Sequence, residues 1–600
     1  MNSGKSSHTI VELLVLILIA GCAKIASPTG GPKDLDPPEI VKSNPVNGVT
    51  NFKGDKIVIT FNEYVVLDKI NEKFMVSPPM KKKPQISLRR KNVIIEYDEE
   101  LKDSTTYTFY FQDAIRDLNE SNPIDNFQFV FSTGPVVDSL SVTGNVNNGF
   151  SLDPPEETLV LLYRELADTA VIKQLPAYIS RVDKKGYFRI DNVKKGTYRL
   201  YALKDADNSK NFNLADEEFA FMNTPIEVTA ENNFLPIVKD TIKVKKLLTK
   251  EQKETADTII RKGEYQLILY KPEKKLHYLT SSQRTQQYKL VYTLSLPPDS
   301  LGFNFSVPGY DTNSYFIERS KENDTIQIWM TDSTLYSKPQ INSLVWYPFT
   351  DSTGNIILKQ DTILMRFIIP RATRARIKPA RFSVNSPFTG GALIPGQQLL
   401  IKSQTPFRAP DTSKIRLYQI VDSIKIKIPF TIEKNKKNSC TLILSAKLIQ
   451  GKSYLFIADS TAFGNIYGQQ ADSTGSKFIV RNNDTFGKLT LNISNYEGSR
   501  IIQLLTNDEK LVRETKMNKD GKIIFPLLNQ GTYKLRVIYD INNDGKWTTG
   551  DFASGRLPEP VSFLSKVILI KENWELNEDW DIGEKNIKKL KIGPTNKPGR

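Results

Sequence analysis

From Asp540 the chain reads DINNDGKWTTGD, a run that sets oxygen-bearing groups at alternate loop positions. Asp540, Asn542 and Asp544 come first, Lys546, Thr548 and Asp551 follow, and Gly545 stands sixth. A hard cation such as calcium takes about 6 to 8 oxygen ligands, and short side chains can converge on one only where the backbone turns sharply at the sixth position. Lys546 would lend its carbonyl and turn its ammonium outward. Asp551, one methylene shorter than the usual glutamate, would weaken the site. A poorer copy, DADNSKNFNLAD, begins at Asp205 and places Asp207, Ser209, Asn211 and Asp216 at the same offsets, with Lys210 in place of the glycine. Calcium is therefore the expected cofactor, set against the alternative that both loops cap themselves as Asx-rich turns. Helices flank neither loop, so only the ligand spacing, and not an EF-hand fold, carries over.

Other reactive groups are scarce. The 600 residues contain two histidines, His8 and His277, and two cysteines, Cys22 and Cys440. His8 and Cys22 lie in a leader, which leaves one imidazole and one thiol for the rest of the chain. That excludes a disulfide framework, a cysteine-rich zinc site and an HExxH pair. His277 is expected to be a half-buried or surface residue, and Cys440, which opens the strand-like CTLILS, a small buried hydrophobe. Paired acids among the 67 carboxylates stay open, but no spacing nominates a glycosidase pair. Trp547, Trp574 and Trp580 cluster near the C-terminal end; Trp547 and Trp574 are candidate sugar-binding platforms, with cover for a sandwich edge as the commoner role.

The N-terminus combines Lys5 with an apolar run, Ile10 to Ala20, that is too short to cross a bilayer as a helix. It ends in Ile-Ala-Gly-Cys22, which resembles the bacterial lipoprotein lipobox. The resemblance implies a signal peptide over 1–21, cleavage before Cys22, and diacylglyceryl and palmitate-type acylation of Cys22, since two or more chains are needed for stable anchoring. A Pro/Gly-rich tether occupies 22–37. With no aspartate after the cysteine, analogy with other lipoproteins favours the outer membrane, its face left open. The net charge of +15 suits anionic glycans or lipid head groups. Nucleic acid is not an expected partner of an exported chain, and no RNP-type motif occurs.

These groups must be positioned by strands. Short alternating runs rich in Val, Ile, Thr, Tyr and Phe recur between Asn/Asp/Gly/Pro turns, the pattern of β-sandwiches in series. Leu247 to Lys262 is the one candidate helix. VIIEYDEELKDSTTY from Val93 lies over CTLILSAKLIQGKSY from Cys440, so that Leu101 and Tyr107 match Leu448 and Tyr454, as in a tyrosine corner. With Asp117-Leu118-Asn119 and FQFVFSTG from Phe127, this unit resembles the bacterial Ig-like domain of the SbsA type. A second repeat sets DKKGYFRIDNVKKGTYRLYALKD from Asp183 over KDGKIIFPLLNQGTYKLRVIYD from Lys519, pairing Gly186 with Gly521, Gly196 with Gly531 and Asp205 with Asp540. It resembles the transthyretin-like sandwich of carboxypeptidase regulatory domains, with the glycines expected where turns need positive φ.

The expected fold class is all-β, serial β-sandwich modules behind a signal peptide. The order is an Ig-like domain over 38–135, a transthyretin-like sandwich over 136–238, an unassigned β-rich block over 239–375, a second Ig-like domain over 376–484, a second transthyretin-like sandwich over 485–584 and a basic tail over 585–600. Five basic residues from Arg371 to Arg381 read as a solvated linker. The expected function is that of a non-enzymatic envelope lipoprotein, a rod of modules acting as a structural or interaction scaffold. Its expected partners are the membrane, through the lipid anchor, and envelope proteins or anionic glycans. A glycan-binding or uptake accessory lipoprotein is the alternative, and a hydrolase with a site in the middle block is a third reading.

Overall fold

The computed structural model describes residues 34–230, 265–298, 300–367, 382–388, 391–495 and 498–583. The signal peptide with His8, the acylation site Cys22, most of the tether, the candidate helix 247–262, the basic linker 371–381 and the tail 585–600 lie outside the described residues. The regular secondary structure of the described residues is almost entirely strand, gathered into pairs of facing sheets.

In the first module the alternation of KIVITF puts Ile57, Ile59 and Phe61 inward, so Lys56–Phe61 buries one face and leaves the other half wet. It lies between Ile40–Asn44 and Asn92–Glu96, with Gln85–Arg89 at the far edge. The facing sheet runs Met75–Ser77, Thr106–Gln112, Phe127–Ser132. Between them pack Ile57, Phe61, Val93, Phe109, Phe111 and Phe131, each worth roughly 1.5–3 kcal/mol of burial.

The fourth module repeats this arrangement. Val384–Asn385, Leu399–Ser403, Thr441–Ala446 and Phe430–Lys434 keep the first sheet's order, and Ile415–Val421, Ser453–Ala458 and Thr474–Val480 keep the second's. Both tyrosine corners form. The Tyr107 hydroxyl accepts the Lys102 N–H at 2.9 Å and the Tyr454 hydroxyl accepts the Ile449 N–H at 2.7 Å, each from five residues upstream.

The second and fifth modules are likewise one topology twice. A three-stranded sheet sets Leu140–Asn148 between Tyr187–Val193 and Tyr265–Leu269, as Gly487–Ser494 lies between Gly521–Leu528 and Glu575–Asp581. The last strand is parallel to the central one in both. The facing sheet runs Tyr178–Arg181, Leu159–Tyr163, Gly196–Lys204, Glu218–Phe221, repeated as Leu511–Met517, Arg500–Thr506, Gly531–Tyr539, Val561–Phe563. Each Gly-Thr-Tyr tyrosine donates to the carbonyl four residues back, Tyr198 to Lys194 at 2.6 Å and Tyr533 to Asn529 at 2.8 Å.

Three expectations are corrected. Tyr265–Leu269 was expected in the middle block but completes the second module, because its partner is a parallel strand 120 residues earlier and nearness along the chain does not reveal such a pair. Among the paired glycines Gly186 and Gly531 have positive φ, whereas Gly196 and Gly521 do not. The modules also do not form a rod. Phe552 of the fifth module enters an aromatic cluster on the second, and the middle block, whose sandwich spans Leu279–Gln286 to Ile356–Arg366, meets the fourth module through Tyr288 stacked on Tyr467 at 3.9 Å. Modules two to five therefore close on themselves.

Replacing Tyr454 with Phe removes the acceptor of the part-buried Ile449 N–H, a net loss of about 0.5–1.5 kcal/mol. Hydrogen exchange across 448–455 is expected to quicken by about two- to tenfold. Unchanged exchange would show that the corner holds nothing.

Candidate functional site: two acidic loops and the contact between modules two and five

Each loop leaves the end of a central strand, Gly196–Lys204 or Gly531–Tyr539, and folds around its first aspartate. Asp205 accepts the N–H groups of Ser209 (3.1 Å) and Lys210 (2.9 Å), and Asp540 accepts those of Asp544 (3.1 Å) and Gly545 (3.0 Å). Asp207 and Asn542 each accept the N–H two residues on. Lys210 and Gly545 both take left-handed backbone, with φ of 59° and 75°, so the poorer copy keeps the turn without the glycine. Asx-turn bonding thus organises both loops, as one of the two sequence readings expects.

The second acid in each loop is one that ligand spacing does not predict. Glu217, buried, accepts the N–H groups of Ala206 (3.1 Å), Asn213 (3.2 Å) and Leu214 (3.1 Å). Glu559, also buried, accepts those of Ile541 (2.6 Å), Asn542 (3.2 Å) and Thr548 (2.9 Å). The shared signal is a glutamate just before the strand that returns from the loop, Glu218–Phe221 or Val561–Phe563, which a fixed twelve-position frame cannot find when the loops differ in length.

Asp216 is corrected accordingly: it is exposed and turned out of the loop, and Glu217 takes its place. Asn211 is also turned away, donating its side-chain amide to the Gln174 carbonyl at 2.8 Å, while Ser209 Oγ donates to the Asn211 carbonyl. In the second loop Asp544 accepts from Asn542 Nδ2 (3.1 Å), Thr548 Oγ1 (3.0 Å) and the Lys546 N–H (2.9 Å). Asp551 is not a loop ligand; it accepts Lys275 Nζ at 2.7 Å from the segment after the second module.

Among the described residues one group of three carboxylates could hold a metal ion, Asp205, Asp207 and Glu217, with candidate ligand atoms all within 4.8 Å of one another. The spacing favoured the other loop, but there the residue matching Asp207 is the neutral Asn542. Burial pushes the Asp205 carboxyl up, with Asp207 beside it adding to the rise. Hydrogen bonds from Asn213 and then Ser209 hold Asp207 down at about 2. Burial also raises Glu559.

The second loop is the surface through which the fifth module meets the second. Trp547, expected as an exposed sugar platform, donates Nε1–H to the Glu559 carbonyl at 2.9 Å and packs on Phe150, ring centroids 4.9 Å apart. The Arg536 guanidinium lies 3.9 Å from the Phe150 ring centroid and donates to Gln503. Phe552 contacts Tyr201, Phe212, Phe219 and Phe221. Gly550 faces Tyr270 so closely that a Cβ there would lie 2.6 Å from the ring. Thr549 Oγ1 donates to the Lys271 carbonyl at 2.7 Å. Trp580 is buried in the fifth core, and of the three tryptophans Trp574 is the exposed one, half accessible and with Lys571 over its ring.

His277 is corrected from half-buried or surface to buried, its backbone N–H and C=O both paired with Thr350. Cys440 is half-buried rather than buried; burial, then nearby Glu318, pushes its thiol up to about 11, so it is not a nucleophile at neutral pH. Glu318 itself ties the middle block to the fourth module, accepting Trp329 Nε1–H at 3.0 Å and the Ser439 N–H at 2.6 Å.

No curated protein matches the chain. Among solved structures the chain is similar to domains 1–6 of the surface layer protein SbsC, at 9% identity over 88% of this chain and 66% of that one, with a TM-score of 0.13. The N-terminal part of the bacterial S-layer protein SbsC gives 13% identity over 32% of this chain and 41% of that chain, TM-score 0.12. Native α2-macroglobulin from Escherichia coli, domains MG0-NIE-MG1, gives 12% over 48% and 95%, TM-score 0.18. The chain thus spans less than two thirds of the first two structures, and TM-scores this low define no relation for the whole chain. Residues 34–133, the first module, match the family model of a bacterial Ig-like domain.

Proposed function

We propose that this chain is a lipid-anchored envelope protein, acylated at Cys22 and held at the outer membrane, that serves as a non-enzymatic interaction scaffold. Its Ig-like repeats would be of the SbsA type, and its partners envelope proteins or anionic glycans. The observation that carries this reading is where the reactive side chains go. Asp551, Trp547 and Glu318 join modules, the Cys440 thiol is held neutral, and His277 is buried in strand-like pairing with Thr350. Residues a hydrolase would need in a cleft are instead placed to hold sandwiches against one another. Trp547, covered by Phe150, also weakens the sugar-platform reading. In this account the first module, joined to the second by contacts such as Ile179 N–H to Ser77 Oγ at 3.1 Å and Met75 on its aromatic cluster, stands outside the closed group and is offered to partners.

Calcium belongs to the same proposal, with Asp205, Asp207 and Glu217 as its better set and Asp540, Asn542, Asp544 and Glu559 as the second. Carboxyls whose folded pKa is raised, as at Asp205 and Glu559, hold protons to higher pH when folded than when unfolded. They therefore lower stability as pH rises through their folded values. A cation held between the ionised groups would remove that penalty, so its effect belongs to neutral rather than acidic solution.

Two outcomes are expected. Millimolar calcium raises the melting temperature of the full chain near pH 7 and much less near pH 4, and Asp205→Asn with Asp207→Asn reduces the rise; no shift at either pH contradicts the metal reading. Cys22→Ser abolishes incorporation of labelled palmitate and moves the chain from membranes to the soluble fraction. Labelling and membrane retention that survive this change contradict the anchor.

A further inference from the structure

A cleft of about 510 Å³ lies between the first and second modules, and shares Met75, Leu159 and Ile179 with the cluster that Phe552 enters. Its size falls within the ~300–1,000 Å³ usual for small-molecule sites, which favour domain junctions. The floor is apolar and comes from both sides: Phe74 and Met80 of the first module, Ile179 of the second, all buried. Four cations line the cleft, the exposed Lys81 and Lys83 from the first module and Arg181 and Lys210 from the second, the latter two near enough to Lys83 to act on its charge.

Among the described residues none of Lys83, Arg181 and Lys210 forms an ion pair. Lys83 donates to the Asn71 carbonyl at 2.5 Å, and its ammonium is destabilised first by desolvation and then by Lys210 and Arg181. The Arg181 side chain makes no hydrogen bond or ion pair among the described residues, and its Nε is buried with no acceptor. Buried polar atoms are ordinarily paired, so a half-buried guanidinium whose Nε is buried without an acceptor, beside two further cations, suits an anion. The acids that also border the cleft do not supply it. Glu72 and Glu157 are exposed at its mouth, and Asp205 is engaged by the amides of its own loop.

We propose that this cleft binds a small amphipathic anion, its apolar body against Phe74, Met80 and Ile179 and its carboxylate or phosphate head on Arg181, Lys210 and Lys83. The apolar floor selects against free inorganic anions, and the cations select against neutral apolar molecules. A bidentate head group would take the fork of Arg181, with the two ammonium groups supplying charge. Lys210 belongs to the first acidic loop, so the ligand would touch the loop that turns around Asp205, and the cleft stands or falls independently of the anchor and scaffold readings.

The test is calorimetric titration of the full chain bearing Cys22→Ser, so that no acyl chain of its own competes, with decanoate, decyl phosphate, decanol and inorganic phosphate. One-to-one binding of either amphipathic anion is expected, about tenfold or more tighter than decanol or inorganic phosphate. The tighter of the two anions identifies the head group. Arg181→Met and Lys210→Met are each expected to weaken it by about tenfold, the latter being a change on an exposed loop that leaves the module cores untouched. Absence of binding by both anions, equal binding of decanol or phosphate, or full affinity in Lys210→Met with Arg181→Met would overturn the proposal.

Discussion

The packing of Phe552 into the outer face of the second module is the contact on which the arrangement of the chain depends. It brings together sandwiches whose central strands are more than 300 residues apart in sequence, and it does so with apolar area, which is non-directional and strong. Met75 of the first module packs on the same cluster, so the second module is the hub to which both the first and the fifth attach. The reverse contact, Phe150 and Trp547 over Ile501, Ile538 and Val561, covers the outer face of the fifth module. Each sandwich therefore has one sheet buried on both faces, once by its own core and once by the other module.

This explains features that a single sandwich does not need. Gly550 has no side chain because the Tyr270 ring occupies that space. Asp551 lies beside Lys275 because the segment leaving the second module crosses the fifth there. Arg536, buried and set against Phe150, donates to Gln503 instead of to a carboxylate, so its charge is held by an aromatic face and an amide oxygen. The acidic loops stand at the ends of the strands that make this contact. Their backbone amides converge on carboxylates, which keeps the loops rigid where rigidity decides how two modules meet.

Much of the fold could be read from residue order. Alternation in KIVITF gave strands, the Leu-x5-Tyr pairs gave the corners at Tyr107 and Tyr454, and the ungapped glycine register paired the second module with the fifth. Contacts distant along the chain were less legible. Tyr265–Leu269 joins its sheet in parallel from beyond an intervening segment, and nothing in its own residues names the partner. The contact of modules two and five did leave a mark, for LVLLY is continuously apolar where alternation is expected and IIQLL is apolar on both faces but for Gln503, and strands buried on both faces read that way. The loops were legible in their aspartates and not in Glu217 or Glu559, because the glutamate is fixed by the returning strand and not by distance from the first aspartate.

The central claim is that modules two and five are in contact within one chain. Zero-length carbodiimide coupling of the unaltered protein, read by peptide mass spectrometry, tests it directly, since Lys275 Nζ and Asp551 Oδ1 are 2.7 Å apart across the contact. Lys56 and Glu96, 2.7 Å apart inside the first module, serve as the internal reference. A Lys275–Asp551 linkage in monomeric protein, formed alongside Lys56–Glu96, is the predicted result. Lys56–Glu96 coupling without any Lys275–Asp551 linkage would contradict the closed arrangement and return the chain to a string of separate modules.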